Sequence, residues 1–192
     1  MVPEKNDSFI LEIYKNPRTV FRINDIALLM GYNKNSALCK KLNYYVKTGK
    51  LLNPRKGFYA KEGYKAEELA CLLYPPTYIS LEYVLQRAGV IFQYDSAITN
   101  VSYLTREVEI EDQTFRYRQI KGEILTHTAG IILNKNNMNI ATPERAFLDI
   151  LYLNKRFYFD HPTILDKKKV LQLLSIYRSQ ILINTVKNIL SI

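Results

Sequence analysis

Four polar side chains with helical spacing are the residues of this chain best suited to chemistry: Ser36, Lys40, Asn43 and Lys47. At 100° per residue they fall within about 60° of one another on one face of a helix. Short polar side chains and lysines in such an arrangement can hydrogen-bond to base edges and to phosphates in the major groove of DNA. We therefore predict that Ser36, Lys40 and Asn43 contact bases and that Lys47 contacts a phosphate.

The helix that presents these side chains is predicted to begin at Lys34 and to end near Lys47. Lys34 and Asn35 lie in its first turn and are included among the predicted DNA-binding residues. The opposite face carries apolar side chains at core spacing, namely Leu38, Leu42 and Tyr45. One face is thus expected in a core and the other in solvent.

Two shorter helices are predicted before it. The first is capped by Ser8 and runs to about Lys15, and the second runs from about Asn24 to Gly31. A short turn after Gly31 then joins the second helix to the polar one. This succession of helix, turn and helix is typical of DNA-binding modules that insert the later helix into the major groove.

A β-hairpin is predicted after the polar helix. Two short apolar runs, within residues 50–52 and 58–60, flank a segment containing Pro54 and Gly57, which are turn-forming residues. Arg55 and Lys56 would lie at the tip of this hairpin, where we predict that they contact phosphates. The hairpin completes the pattern of a winged helix-turn-helix.

The charge of the chain is concentrated in the same region. Residues 1–65 contain thirteen Lys or Arg against five Asp or Glu, whereas the other 127 residues contain fourteen against thirteen. A positive excess confined to one small unit is expected of a protein that binds a phosphate backbone, because each bound cation releases condensed counterions.

Composition places the chain among soluble globular proteins, with 47% hydrophobic and 23% charged residues in 192. Charged residues interrupt the first twenty positions, which argues against a signal peptide. The charge-free stretch 69–81 is too short for a bilayer and contains Pro75 and Pro76. We expect no membrane segment and a cytoplasmic location, with Cys39 and Cys71 forming neither a zinc site nor a disulfide.

The pattern changes after the Pro75-Pro76 pair, where we predict a domain boundary, with a DNA-binding domain at 1–75 and a second domain at 76–192. Ser80 is expected to cap a helix over 81–88. Thr142 and Pro143 predict the start of a helix that runs to residue 153, and Asp166 the start of a final helical stretch to about 190. Strands are predicted at 97–104, 107–111, 114–120, 130–133 and 138–140. The expected fold class is α+β, with an antiparallel sheet in the second domain.

An alternative, metal-dependent nuclease function depends on Glu107, Glu109 and Glu111, which alternate along a strand and share one face. The competing interpretation is a solvated face whose charges are opposed by Arg116 and Arg118 on the next strand. The second interpretation is favoured, since no lysine follows at the acid-x-lysine spacing. We predict no catalytic residue, no metal and no cofactor.

Several segments together resemble a known family. They are Glu67-Glu68-Leu69-Ala70, the run Tyr74-Pro75-Pro76-Thr77-Tyr78-Ile79-Ser80-Leu81-Glu82, Ile98-Thr99-Asn100-Val101-Ser102, and Ile140-Ala141-Thr142-Pro143-Glu144-Arg145-Ala146-Phe147-Leu148-Asp149. Behind a basic winged helix, this order resembles the AbiEi-type antitoxins of the type IV toxin–antitoxin class, over about residues 21–153.

The resemblance implies a bacterial autorepressor that binds double-stranded operator DNA, acts in phage defence and counteracts a nucleotidyltransferase-like toxin encoded beside it. It further implies that the second domain is needed for neutralisation and that the chain has no catalytic residue. Direct contact with the toxin and the oligomeric state stay open. A stand-alone winged-helix regulator is the alternative of a different class.

Overall fold

The computed structural model describes residues 5–32, 36–133, 136 and 138–192 of an α+β protein. The chain divides into two compact units, one ending at Leu72 and one beginning at Leu73, and Asn136 belongs to the first. The boundary expected from the sequence lies slightly later, between residues 75 and 76. None of the helices in the described ranges is long and apolar enough to cross a bilayer.

The first unit combines helices with a small sheet. In chain order its elements are α1 (Lys5–Lys15), β1 (Val20–Arg22), α2 (Ile23–Leu29), α3 (Ser36–Lys47), β2 (Leu52–Arg55), β3 (Phe58–Ala60) and α4 (Ala66–Leu73). The strands pair antiparallel in the order β1-β3-β2, with Phe21 opposite Tyr59. One apolar cluster joins α1, α2, α3 and the hairpin, and in it the Phe9 ring stacks on Tyr45 at 5.6 Å.

Two local expectations for this unit were wrong, and one strand was not expected. Helix α1 begins at Lys5, before the predicted cap at Ser8. The strand β1 was missed because three residues carry little periodicity. Pro54 lies inside β2 rather than in the turn. A proline fits there because β2 is an edge strand whose pairing is irregular between Leu52 and Arg55, so no regular ladder bond is lost.

The second unit is built on a larger sheet. Its elements are β4 (Thr77–Ile79), α5 (Glu82–Arg87), β5 (Ile98–Ser102), β6 (Arg106–Ile110), β7 (Gln113–Gln119), α6 (Gly122–Leu125), β8 (Ile131–Leu133), β9 (Asn139–Ala141), α7 (Pro143–Leu153), α8 (Lys167–Leu174) and α9 (Gln180–Leu190). Two short 3₁₀ turns, Pro162–Ile164 and Ser175–Tyr177, flank α8. The described strands form one six-stranded sheet in the order β6-β7-β5-β4-β9-β8.

This sheet is mixed, so the expected antiparallel sheet was only partly right. The pairs β4–β5, β6–β7 and β8–β9 are antiparallel, whereas β5–β7 and β4–β9 are parallel. Strand β6 lies at the edge of the sheet and β7 lies between β6 and β5. Because β7 runs antiparallel to β6, it runs parallel to β5. Strand β4 reaches β9 only through a long chain segment, and strand composition does not reveal such a pairing.

Two of the three predicted helix starts are confirmed. The Thr142 side chain accepts a hydrogen bond from the Arg145 amide at 3.3 Å with Pro143 in the first turn, and Asp166 caps α8. The third was wrong, because α5 begins at Glu82 and the Ser80 hydroxyl does not cap it. That hydroxyl instead donates to the Asp149 carboxylate at 2.8 Å.

A buried polar cluster, the Arg145–Asp149 cluster, organises the second unit. Both charged side chains are fully buried, and Nε of Arg145 lies 3.3 Å from the carboxylate of Asp149. The carboxylate also accepts hydroxyl hydrogen bonds from Tyr177 at 2.6 Å, Ser80 at 2.8 Å and Tyr78 at 3.1 Å. The cluster therefore ties α7 to β4 and to the 3₁₀ turn that follows α8.

The guanidinium of Arg145 also holds the loop between α6 and β8. It donates to the carbonyls of Ile124 at 2.7 Å and Ala129 at 3.0 Å. The next residue, Gly130, has a φ of +75°, and a Cβ there would lie 2.9 Å from the Cβ of Arg145, so glycine is required. Burial raises the pKa of the Asp149 carboxyl, and the Arg145 charge opposes that rise.

Candidate nucleic-acid interface

Helix α3 presents one polar face to solvent. Ser36, Lys40, Asn43 and Lys47 are all exposed. Leu38, Leu42 and Tyr45 on the other face are at most 1% exposed, as their spacing predicts. Because the apolar face is fixed in the core that also contains α1 and α2, the polar face is held outward on a rigid element. Lys34 and Asn35 lie outside the described residues.

Lys41 differs from its neighbour Lys40 although both belong to α3. Its ammonium lies 4.4 Å from the ring centre of Phe9 and 5.9 Å from that of Tyr32. A cation held over aromatic faces is attracted to their negative quadrupoles and remains within the unit. The helix therefore carries one outward lysine and one inward lysine at consecutive positions.

The hairpin of β2 and β3 carries the second pair of candidate residues. Lys56 is exposed and Arg55 is half-buried. Gly57 allows the tight turn, since it takes a φ of +86° that L side chains rarely adopt. The Asn53 side-chain amide donates to the carbonyls of Arg55 at 3.0 Å and Phe58 at 2.6 Å. These bonds span the turn and fix the backbone that carries Arg55 and Lys56.

Part of the positive charge of the first unit has structural roles. Lys61 is only 9% exposed and donates to the backbone carbonyls of Tyr14 and Asn16 at the end of α1. Burial lowers the pKa of its ammonium, while the charge of Glu68 opposes that change. The Arg22 side chain donates to the carbonyl of Leu72. The charge excess of this region thus overstates the number of cations available to a ligand.

The acidic strand of the second unit supports the solvated-face interpretation. Glu107 lies opposite Arg116 and accepts its Nε–H at 2.8 Å, and Arg116 also bonds Asp95 at 2.6 Å. Arg118 does not take part as expected, because β6 begins at Arg106 opposite Tyr117, and Arg118, one residue further along β7, pairs only with Val101 of β5. Within the described residues, no group of three or more His, Cys, Asp or Glu could hold a metal.

The carboxyl of Asp95 has a lowered pKa. Its partial burial acts to raise the pKa, but hydrogen bonds from the Ala97 amide and the Arg116 guanidinium, together with the charge of Arg116, outweigh that effect. The sequence did not indicate this partner, because Asp95 lies in a loop 21 residues before Arg116.

Two residues that matter for the candidate interface were missed in the sequence. Asn53 lies in the segment predicted to form the turn, and asparagine side chains often hydrogen-bond the backbone of a turn. Its position beside Pro54 was the one signal in the sequence for the bonds that its amide makes across this turn. Lys41 could have been separated from Lys40 by helical phase alone, since it points about 100° away from it. The hydrogen bonds of Asn53 are local in sequence, whereas the position of Lys41 depends on Phe9 of the distant helix α1.

No protein-family model matches the chain, and no curated protein matches it in sequence. The crystal structure of the RV2827C protein from Mycobacterium tuberculosis is similar in structure, with a TM-score of 0.56 and 11% sequence identity. The match covers 100% of this chain and 78% of that chain. At this identity the likeness concerns the α+β fold alone.

Proposed function

We propose that this chain is a cytoplasmic DNA-binding antitoxin and transcriptional autorepressor whose first unit is a winged helix-turn-helix. The observation that carries the proposal is the outward face of α3, which holds Ser36, Lys40, Asn43 and Lys47 on a helix fixed in a core. The order α2, turn, α3 and β2–β3 hairpin supports this proposal, in which α3 is the recognition helix and the hairpin is the wing.

The side chains of this surface divide by chemistry into two groups. Asn43 is suited to base readout, because a carboxamide gains most when both its donor and its acceptor meet a base edge, a pairing worth about 1–3 kcal/mol of discrimination. The flexible ammonium of Lys40 can serve either a base or a phosphate. Lys47, Arg55 and Lys56 are assigned to phosphates, which fix register without reading sequence.

The test is a binding titration with duplex DNA from immediately upstream of the gene and with a scrambled duplex. Lys40→Ala should weaken binding to both duplexes, and Asn43→Ala should reduce preference for the upstream DNA by roughly 5- to 150-fold. Lys41→Ala is the matched control, because it removes the same charge from the same helix but from a lysine held over two rings.

The proposal predicts that Lys41→Ala keeps the wild-type affinity while Lys40→Ala lowers it, with thermal melting confirming that both variants are folded. Equal loss in the two variants would mean that net charge alone, rather than this face, sets the affinity. If Asn43→Ala weakens binding to both duplexes equally, Asn43 contacts a phosphate rather than a base.

Neutralisation is assigned to the second unit, on the resemblance of its segments to AbiEi-type antitoxins. A fragment of residues 1–76 should still bind DNA but fail to protect cells from the nucleotidyltransferase-like toxin. A full-length Lys40, Arg55 and Lys56 triple alanine variant should protect when both genes are driven by foreign promoters, because repression is then irrelevant. Growth after toxin induction distinguishes the two constructs.

Protection by the fragment, or failure of the folded triple variant, would contradict this division of roles. A chain that binds upstream DNA but has no toxin gene beside its own would instead be the stand-alone regulator. Cleavage of DNA in the presence of magnesium would favour the nuclease.

A further inference from the structure

One aromatic side chain lies on the outward face of α3. The exposed residues among the twelve of this helix, Ser36–Lys47, are Ser36, Ala37, Lys40, Asn43, Tyr44 and Lys47. Tyr44 is the one large apolar side chain in that set, and it is 54% exposed. A single exposed aromatic residue is ordinary in a soluble protein. What distinguishes Tyr44 is its position among the residues that are predicted to contact bases.

Helical geometry places Tyr44 as close to the centre of this face as Asn43. The three buried residues of α3 define the inward direction of the helix. At 100° per residue, Tyr44 lies about 50° to one side of the opposite, outward direction and Asn43 about 50° to the other, with Lys40 between them. A duplex that lies against Lys40 and Asn43 therefore also meets the side chain of Tyr44.

The ring of Tyr44 is anchored on the core of the first unit. It meets the ring of Tyr45 edge to face, with the ring centroids 5.7 Å apart, and Tyr45 in turn stacks on Phe9 within the apolar cluster. One side of the ring is thereby packed, while more than half of the residue stays open to water. A side chain that is ordered before binding loses little conformational entropy when a ligand covers it. Tyr44 thus offers a preordered apolar surface.

We propose that Tyr44 is a specificity-determining residue whose ring contacts the C5 methyl group of a thymine in the operator. This inference rests on the proposed function and names one base that α3 reads. Base edges in the major groove present hydrogen-bond donors and acceptors, and the thymine methyl is the apolar group among them. An aromatic ring gains most from leaving water against an apolar partner, so this methyl is the base group that suits it. The positive charges of Lys40 and Lys47, one helical turn to either side of Tyr44, attract the duplex to this surface.

The experiment compares the upstream duplex with a series in which one thymine at a time is replaced by deoxyuridine, which removes the methyl group and keeps both carbonyls. Wild-type affinity should fall about 3- to 10-fold at the position that Tyr44 contacts. Tyr44→Ala and Tyr44→Gln, which both introduce good helix formers, should bind the unmodified duplex correspondingly more weakly. They should show no further loss at that position, since both changes remove the same contact. Tyr44→Phe should behave like the wild type, because it keeps the ring.

Tyr94→Ala is the matched control, since Tyr94 is 80% exposed but belongs to the second unit. It should keep the wild-type pattern, and thermal melting checks that each variant is folded. The inference is overturned if no deoxyuridine weakens wild-type binding, or if the Tyr44→Ala and Tyr44→Gln variants keep the wild-type losses, because another side chain then reads the methyl. Loss of the pattern in Tyr44→Phe would assign the contact to the hydroxyl, and its loss in Tyr94→Ala would make it independent of α3; either result also overturns the inference.

Failure of this inference and failure of the proposed function give different results. A wild-type chain that binds upstream and scrambled DNA equally, or binds neither, refutes the proposed function and this inference with it. A chain that prefers the upstream duplex and is weakened by Lys40→Ala, but shows no coupling between Tyr44 and any thymine methyl, refutes this inference alone.

Discussion

Removal of the Asp149 carboxylate should destabilise the second unit severely. Asp149→Ala takes away the acceptor of three hydroxyl groups and the counter-charge of Arg145, which is 0% exposed. Breaking a buried ion pair from one side costs about 3–5 kcal/mol, since the other charge stays buried without compensation. That loss is a large part of the roughly 5–15 kcal/mol that stabilises a typical domain.

Smaller changes to the same cluster should cost less. Tyr177→Phe removes only one donor, whose hydroxyl lies 2.6 Å from the carboxylate, and a hydrogen bond to a charged group is worth about 1.5–3 kcal/mol. Glu123→Gln is the control, because Glu123 meets Arg178 at 3.5 Å with both side chains about four-fifths exposed. Exposed pairs of this kind contribute little to stability.

Hydrogen exchange followed by mass spectrometry measures these costs within the second unit. Amides of β4 and α7 should exchange about 10²- to 10⁴-fold faster in Asp149→Ala, less so in Tyr177→Phe, and at the wild-type rate in Glu123→Gln. An acceleration below tenfold in Asp149→Ala would refute the argument, because it would mean that water or the nearby carbonyls replace the carboxylate at little cost.

Three further predictions concern the hairpin and the acidic strand. Replacing Arg55 and Lys56 together with Ala should lower the slope of log K against log salt concentration for DNA binding by about 1.8, since each phosphate contact contributes about 0.9. An unchanged slope in a folded variant would mean that the hairpin does not contact DNA. Asn53→Ala should weaken DNA binding while leaving that slope intact, because it releases the turn backbone without removing charge; a reduced slope would contradict this role. Arg116→Gln should make the free energy of unfolding fall less steeply with pH below about pH 4. The lowered pKa of the Asp95 carboxyl stabilises the folded state at pH values above the unfolded pKa, near 3.9, and this stabilisation is lost as the pH falls through the folded pKa. Acid unfolding curves of the same steepness in variant and wild type would contradict this prediction.

The elements that the sequence determined by itself are those with local causes. The start of α7 follows from Thr142 and Pro143, because a cap and a preset φ act within one turn. The two faces of α3 follow from residue spacing, since helical geometry alone sorts Leu38 and Leu42 from Lys40 and Asn43. The α+β class follows from the succession of such patterns.

Tertiary structure decided what depends on partners distant in the chain. Ser80 is of a residue type that often caps helices, yet Leu81 occupies the cap position of α5 and the Ser80 hydroxyl donates to Asp149, 69 residues away. Lys41 lies over Phe9 because α1 packs against α3. In the parallel pair of β4 and β9, Ile79 lies opposite Ile140. Strand propensity does not indicate which distant strand will be the hydrogen-bonding neighbour. Local sequence thus specifies the elements and their faces, whereas the burial of polar groups and the choice of strand neighbours arise only when the whole chain is packed.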